Sequence, residues 1–169
     1  MIAVEIMKVT YEAIGVIHSP FREQADTPIQ GTFSEAEGTV EVFPEYAAGL
    51  KDIGGFSHLF LIYDFHRATG YSLVAKPFLD GSEERGIFAI RHFRRPNPIG
   101  LSIVELRKVR GNILEIRGVD VLDGTPLLDI KPYIRQFDCR EAARSGWAEG
   151  KGQATDRPDQ YTPRKLAKK

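Results

Sequence analysis

The chain has a single cysteine, Cys139, in 169 residues, so no internal disulfide can form and a reducing cytoplasm is the expected setting. No apolar run approaches the ~20 residues that a membrane-spanning helix needs, so no membrane partner is expected. The opening residues, Met1-Ile2-Ala3-Val4-Glu5, have no basic region before an apolar stretch and no small-residue cleavage site, which argues against a secretory signal. No Gly-x-Gly-x-x-Gly follows a strand-like run, so a Rossmann domain is not expected; a Walker-type phosphate loop and Gly-x-Ser-x-Gly are missing as well. The four histidines, His18, His58, His66 and His92, do not stand at zinc-like spacing, and one cysteine gives them no partner, so no metal is expected.

Net charge is absent too, with 23 Lys and Arg against 23 Asp and Glu. The balance is uneven along the chain. Between Arg85 and Arg117 stand Arg85, Arg91, Arg94, Arg95, Arg107, Lys108, Arg110 and Arg117, opposed only by Glu105 and Glu115. The rest of the chain carries the matching negative excess. A neutral protein with one basic sector can still steer a phosphate backbone. A pair of strands with a solvated face gives the same count.

What is present is ordinary globular material, 42% hydrophobic and 27% charged. Strand-like runs are short and punctuated by Gly, Pro and Asp: Ala13–Ile17, Thr39–Phe43, Phe56–Phe65, Ser72–Ala75, Gly86–Ile90, Ser102–Val109, Ile113–Ile116, Val119–Leu122 and Leu127–Ile130. Phe56–Phe65 is nearly all apolar and reads as a central strand buried on both faces. Pro44–Leu50 reads as one or two helical turns with proline at the start. Gly111-Asn112 between two alternating runs signals a hairpin. About eight short strands at this spacing fit a barrel or a sandwich. The expectation is therefore a mostly β domain over residues 1–147. Residues 148–169, with six basic and three acidic side chains and few apolar ones, read as a polar, mobile tail.

Two loops stand out chemically. In Arg95-Pro96-Asn97-Pro98-Ile99-Gly100 two prolines fix φ and remove two donors, while Gly100 permits positive φ or the close approach of another group. A stiff loop loses little entropy when a ligand binds; it can equally be a turn that only shapes the barrel. The second stretch, Asp120-Val121-Leu122-Asp123-Gly124-Thr125-Pro126, leads into Asp129-Ile130-Lys131-Pro132-Tyr133. Asp-Gly marks a turn, and the carboxylates beside a basic sector suit a cationic ligand.

These segments, taken together and in order, resemble the TrmO (YaeB-like) family of S-adenosylmethionine-dependent tRNA methyltransferases, which act on N6 of threonylcarbamoyladenosine. The resemblance runs from about Tyr11 to Trp147. It rests on Ile14–Phe21, Phe56-Ser57-His58-Leu59 with His66, Gly86–Ala89 with Arg91, Arg95–Ser102, Asp123–Pro126, Asp129–Tyr133 and Arg144-Ser145-Gly146-Trp147. It implies a single-sheet β-barrel of short strands with few short helices. It also implies a homodimer with the methyl donor near the subunit interface, and tRNA as partner. Carried over by position, the donor site takes in Pro28, Ile29, Gln30 and Gly31, then His66 and Arg67, Arg91, Leu101, and Asp120, Leu122, Asp123 and Gly124. Arg94, Arg95, Asn97 and Lys131 are the candidates for binding the RNA substrate. One departure is plain: where family members usually carry a small hydroxyl residue and often a proline between Arg91 and Arg95, this chain has His92-Phe93-Arg94.

The chemistry implied is in-line displacement of a methyl group from a sulfonium. Most of the acceleration would come from holding donor and acceptor near ~3 Å and aligned. His66 is the candidate general base, since an imidazole's unperturbed pKa of about 6.5 suits the task. The arginines suit a carboxylate on the nucleoside, and an anticodon-loop base is already single-stranded. Two other readings stay open: a methyltransferase of the same fold with a different substrate, and a module that binds S-adenosylmethionine or RNA without catalysis.

Overall fold

The computed structural model describes residues 7–79 and 83–151. Its strands are β1 Gly15–His18, β2 Glu37–Val42, β3 His58–Asp64, β4 Val74–Ala75, β5 Arg85–Gly86, β6 Ile99–Arg110, β7 Ile113–Arg117 and β8 Thr125–Pro132. Six of them close into an antiparallel barrel in the order β1-β2-β7-β6-β3-β8, with β8 pairing back onto β1. β4 and β5 form a separate two-stranded ribbon. Short 3-10 turns, among them Pro44–Leu50, and one four-residue α-helix, Arg135–Asp138, complete the described chain. The expected mostly β, single-sheet barrel without a Rossmann domain is what forms. Residues 152–169, most of the expected tail, lie outside the described residues.

Period-two alternation builds the core. Along β3, Leu59, Leu61 and Tyr63 point into the barrel, where Ile17, Val40, Val42, Val104, Leu114, Ile116 and Leu127 meet them. The other face of β3 is only half-buried or exposed, so this strand is not covered on both sides as its composition suggests. A barrel has one inside, and a continuous apolar run leaves its outward half on the surface. Val119–Leu122 is also not a strand. Gly118 and Val119 both turn their N–H groups to Ala36 O, at 2.9 and 3.3 Å, and the chain leaves the ladder there. Val119 and Val121 stay buried and close one end of the barrel. The Gly86–Ile90 run keeps only Gly86 in a strand, and Ile87–Ala89 winds into a 3-10 turn.

Strand direction decides where the loops go. Because every neighbouring pair is antiparallel, β1, β3 and β7 end at the same rim from which β2, β6 and β8 start. The connections 19–36, 65–98 and 118–124 therefore gather at one end of the barrel, and 43–57 lies at the other. The opposite end has the tight β6–β7 hairpin at Gly111-Asn112.

Gly100 is needed for close approach. It pairs with Tyr63 across β3 and β6, and a Cβ built on it would stand 2.1 Å from Tyr63 Cε2. The ring lies over the glycine and carries its hydroxyl to Ser102 Oγ at 2.9 Å. Gly100→Ala is expected to destabilise the barrel by about 1–3 kcal/mol, the usual range for overpacking. Chemical denaturation would measure it, and an unchanged midpoint would show that the ring can move aside freely.

Candidate active site

A cavity of about 940 Å³ opens at the loop-bearing rim, at the upper end of the usual range for small-molecule sites. Each of the three connections at this rim contributes to its wall. The β1–β2 loop supplies Pro28, Ile29 and Gln30, and the β3–β6 excursion supplies Phe78, Arg91, His92, Phe93, Arg95 and Asn97. The start of β6 supplies Gly100 and Leu101, and the β7–β8 loop supplies Asp120.

Asp120 ends a polar chain that begins in the core. Tyr63 and Ser102 are inward-facing positions on neighbouring strands, both buried. Ser102 donates its hydroxyl to Asp120 Oδ1 at 2.5 Å. Burial pushes the Asp120 carboxyl up to about 6, although the Ser102 hydroxyl, the Gly31 and Asp120 N–H groups and the Arg91 charge all pull it down. Burial also raises the Tyr63 phenol, with the Asp120 charge adding to it. Gly31 reaches this carboxyl because its backbone sits tightly against the barrel: a Cβ there would meet Gly118 O at 2.7 Å and Ile103 O at 3.1 Å.

Also in the lining, Arg91 donates Nη1–H to Gln30 Oε1 at 2.7 Å, and Gln30 in turn donates to Ile29 O. Gln30 thereby aims the guanidinium. Arg95 is tied to the backbone, donating to Ile90 O at 3.1 Å. The Pro-Asn-Pro loop is anchored by Phe65 N–H, which donates to Pro98 O at 2.7 Å. Three rings pave the space between. The His92 ring stacks on Phe78 with centroids 4.8 Å apart and planes within 6°, and on Phe93 at 4.6 Å. Burial, then the Arg94 and Arg95 charges, lower the His92 pKa. Its Nδ1 accepts the Arg94 N–H at 3.0 Å.

The structure thus gathers Pro28, Ile29, Gln30, Arg91, Leu101 and Asp120 of the expected donor set around one cavity, with Arg95 and Asn97 of the expected RNA set. Gly31 joins through Asp120. Others are elsewhere. His66 and Arg67 are exposed on the turn after β3 and do not line the cavity, and Arg67 donates to Arg22 O at 3.0 Å. Asp123 binds the Arg22 guanidinium and accepts the Ser19 N–H at 3.1 Å. Its pKa lies below the ordinary value: burial raises it, but Ser19, Arg22 and His18 together outweigh that. Leu122 and Gly124 belong to the same turn, with Gly124 N–H donating to Ile17 O. Arg94 lies over the Phe93 ring, 5.9 Å from its centroid. Lys131, near the end of β8 and so toward the opposite rim, pairs with Asp129 at 2.8 Å. Tyr63, Ser102 and Phe78 were not anticipated. The first two could have been suspected, as polar groups at inward strand positions; Phe78 gives no sequence signal. Among the described residues no three His, Cys, Asp or Glu side chains gather to hold a metal, and no helix is long and apolar enough to cross a membrane.

A closed six-stranded barrel with a ligand-sized cavity at one rim, lined by a half-buried carboxyl and a braced arginine, defines a β-barrel protein with a rim pocket. Residues 16–139 match the model of the tRNA-methyltransferase O N-terminal domain, and the chain belongs to that family. It is 56% identical over 144 residues to a probable S-adenosyl-L-methionine-binding protein of Pyrococcus abyssi, covering 85% of this chain and 78% of the relative. It is 37% identical to the tRNA (adenine(37)-N6)-methyltransferase of Escherichia coli, covering 82% of this chain and 63% of that protein. The crystal structure of TrmO from Pseudomonas aeruginosa superposes with a TM-score of 0.73 at 37% identity, covering 87% of this chain and 66% of that one.

Proposed function

We propose that the chain is an S-adenosylmethionine-dependent methyltransferase of the cytoplasm that methylates N6 of threonylcarbamoyladenosine in the tRNA anticodon loop. The observation that carries the reading is the cavity itself. It gathers the Arg91 cation and the half-buried Asp120 carboxyl in one lining, near enough for the Arg91 charge to act on the carboxyl, in a chain whose family includes a tRNA adenine-N6 methyltransferase. The donor is a zwitterion with an added sulfonium cation, and the cavity offers both signs, the Asp120 carboxyl and the cations Lys76, Arg91 and Arg95. Arg91, aimed by Gln30, suits the donor's carboxylate or that of the modified nucleoside, and Asp120 suits the donor's cationic groups.

When bound, the donor supplies a methyl carbon on sulfur, which leaves as a neutral thioether while the acceptor nitrogen forms the new C–N bond and sheds its proton. Among the polar side chains lining the cavity, the lysine and arginines, Lys76, Arg91 and Arg95, act as hydrogen-bond donors only. Tyr63 keeps its proton, and His92 has Nδ1 occupied by the Arg94 N–H. Asp120 is left as the proton acceptor within reach of the cavity, in place of the exposed His66. If Asp120 holds a cationic group of the donor, loss of that counter-charge would raise the carboxylate's proton affinity and favour its role as acceptor.

The homodimer is part of the same proposal. On the outer face of β6, Ile99, Leu101 and Ile103 are 42%, 47% and 46% exposed, beside the half-buried Phe60 and Ile62 of β3. An apolar stripe of this kind marks an interface. Leu101 belongs both to it and to the cavity wall, so a partner seated there would border the site. Sedimentation at micromolar concentration is expected to give a dimer, and Ile103→Lys a monomer. A wild-type monomer would remove the interface.

The direct test is transfer of radiolabelled methyl from S-adenosylmethionine into tRNA. Incorporation into normal tRNA, lost in tRNA without threonylcarbamoyladenosine, is the expected result. Incorporation that persists there would point to another acceptor, for which His92-Phe93 in the cavity wall would be the reason. No incorporation alongside donor binding would leave a binding module.

A further inference from the structure

A second, smaller chamber of about 420 Å³ adjoins the first. The two share Gln30, Phe78, Arg91 and His92 in their walls, while Asp120 and Leu101 belong to the larger one only. What the small chamber has for itself is the C-terminal segment: Ser145, Trp147 and Ala148 form one of its sides. This segment is held in place. Trp147 donates its indole N–H to Ala89 O at 2.7 Å. The Arg85 guanidinium lies 5.5 Å from the indole centroid, and Arg85 is not part of the chamber wall. Phe88, shared by both chambers, is 77% exposed, a large apolar side chain left without cover at the edge of a cavity.

We propose that this small chamber seats the acceptor purine. Trp147 and Phe88 supply its stacking surfaces, and Gln30 and Arg91 stand at the wall where donor and acceptor meet. The inference rests on the methyl-transfer reading and adds a substrate site built by the segment Ser145–Ala148. Three features support the occupant chosen. The chamber is too small for the donor and an extruded nucleotide together but adjoins a cavity large enough for the donor. Its wall is rich in aromatic rings, which accept any base face. Its polar groups are a cation and an amide, matching a base that bears an acidic substituent.

Trp147 is the chain's only tryptophan, so its fluorescence reports on this chamber alone. With the demethylated donor product bound, adding an anticodon stem-loop RNA with threonylcarbamoyladenosine at the target position is expected to change the Trp147 emission. The same RNA with an abasic target should leave it unchanged, and the donor product alone should leave it unchanged too. Phe88→Ala is expected to weaken the fluorescence titration about tenfold, within the usual loss for one stacking side chain. Trp147→Ala should raise KM for tRNA by a similar factor, and Trp147→Phe should restore most of it. Calorimetric affinity for the donor product should stay at the wild-type value in both Trp147 variants, since Trp147 lines the small chamber only. A fluorescence change on adding the donor product alone would give the chamber to the donor and overturn the proposal. So would wild-type methyl transfer with a silent Trp147. A fluorescence response from a wild type that transfers no methyl would instead uphold the purine site and overturn the transfer reading.

Discussion

Arg91→Ala is expected to lower methyl transfer roughly ten- to a hundredfold while the melting temperature stays near that of the parent. The magnitude follows from losing one charge-assisted hydrogen bond at a site that becomes desolvated when occupied, about 1.5–3 kcal/mol. The fold should survive because Arg91 is exposed and its one side-chain partner, Gln30, is on a loop and half-exposed. The basic residues of the β6–β7 hairpin should behave differently. Arg107 and Arg110 are already paired with Glu105 and Glu115 at the surface, far from the cavity. Replacing Arg107, or Lys108 beside it, should weaken tRNA binding and flatten its salt dependence without touching donor affinity. The two classes separate kinetically: excess tRNA rescues the hairpin variants and leaves Arg91→Ala impaired. An Arg91→Ala enzyme with full activity at all substrate concentrations would reduce this residue to a surface charge.

Much of the barrel could be read from alternation, because one closed core imposes one rule on every strand. Thr39–Phe43, Ser102–Val109 and Ile113–Ile116 all fall inside observed strands or within a residue of them. The rule fails where burial is achieved without pairing. Val119 and Val121 are as apolar as any strand, yet they plug an end of the barrel, and nothing local distinguishes a plug from a rung. The site was legible where chemistry and stiffness coincide, as in Asp120 and the Pro96-Asn97-Pro98 loop. It was not legible where a role depends on distant pairing. Gly100 could be seen to allow close approach, but only the β3–β6 register reveals that Tyr63 is what approaches. His66 shows the converse: a reactive side chain at a strand end is a reasonable candidate, yet the turn after β3 holds it outside the cavity wall.

Asp120→Asn is expected to make the protein more stable and less able to hold the donor. An acid whose pKa is raised from 3.8 to about 6 on folding binds its proton more tightly folded than unfolded. Stability therefore falls as pH rises from about 4 to about 6 and is lower by a constant amount above that. At about 1.4 kcal/mol per pH unit, the ionised carboxylate costs the folded state about 3 kcal/mol at neutral pH. Asparagine removes the charge and keeps an acceptor for the Ser102 hydroxyl, but it gives up one acceptor oxygen, so about 1–2 kcal/mol should be regained. Scanning calorimetry at pH 4.5 and 7.5 would show the gain at the higher pH and little at the lower. Donor affinity should move the other way. Truncating one member of a buried charge pair typically costs 2–5 kcal/mol, so titration of S-adenosylmethionine should weaken by about thirtyfold or more. An Asp120→Asn protein that binds donor like the parent would separate this carboxyl from the donor's cation. One that melts lower at pH 7.5 would mean that the Tyr63–Ser102–Asp120 chain stabilises the barrel rather than straining it.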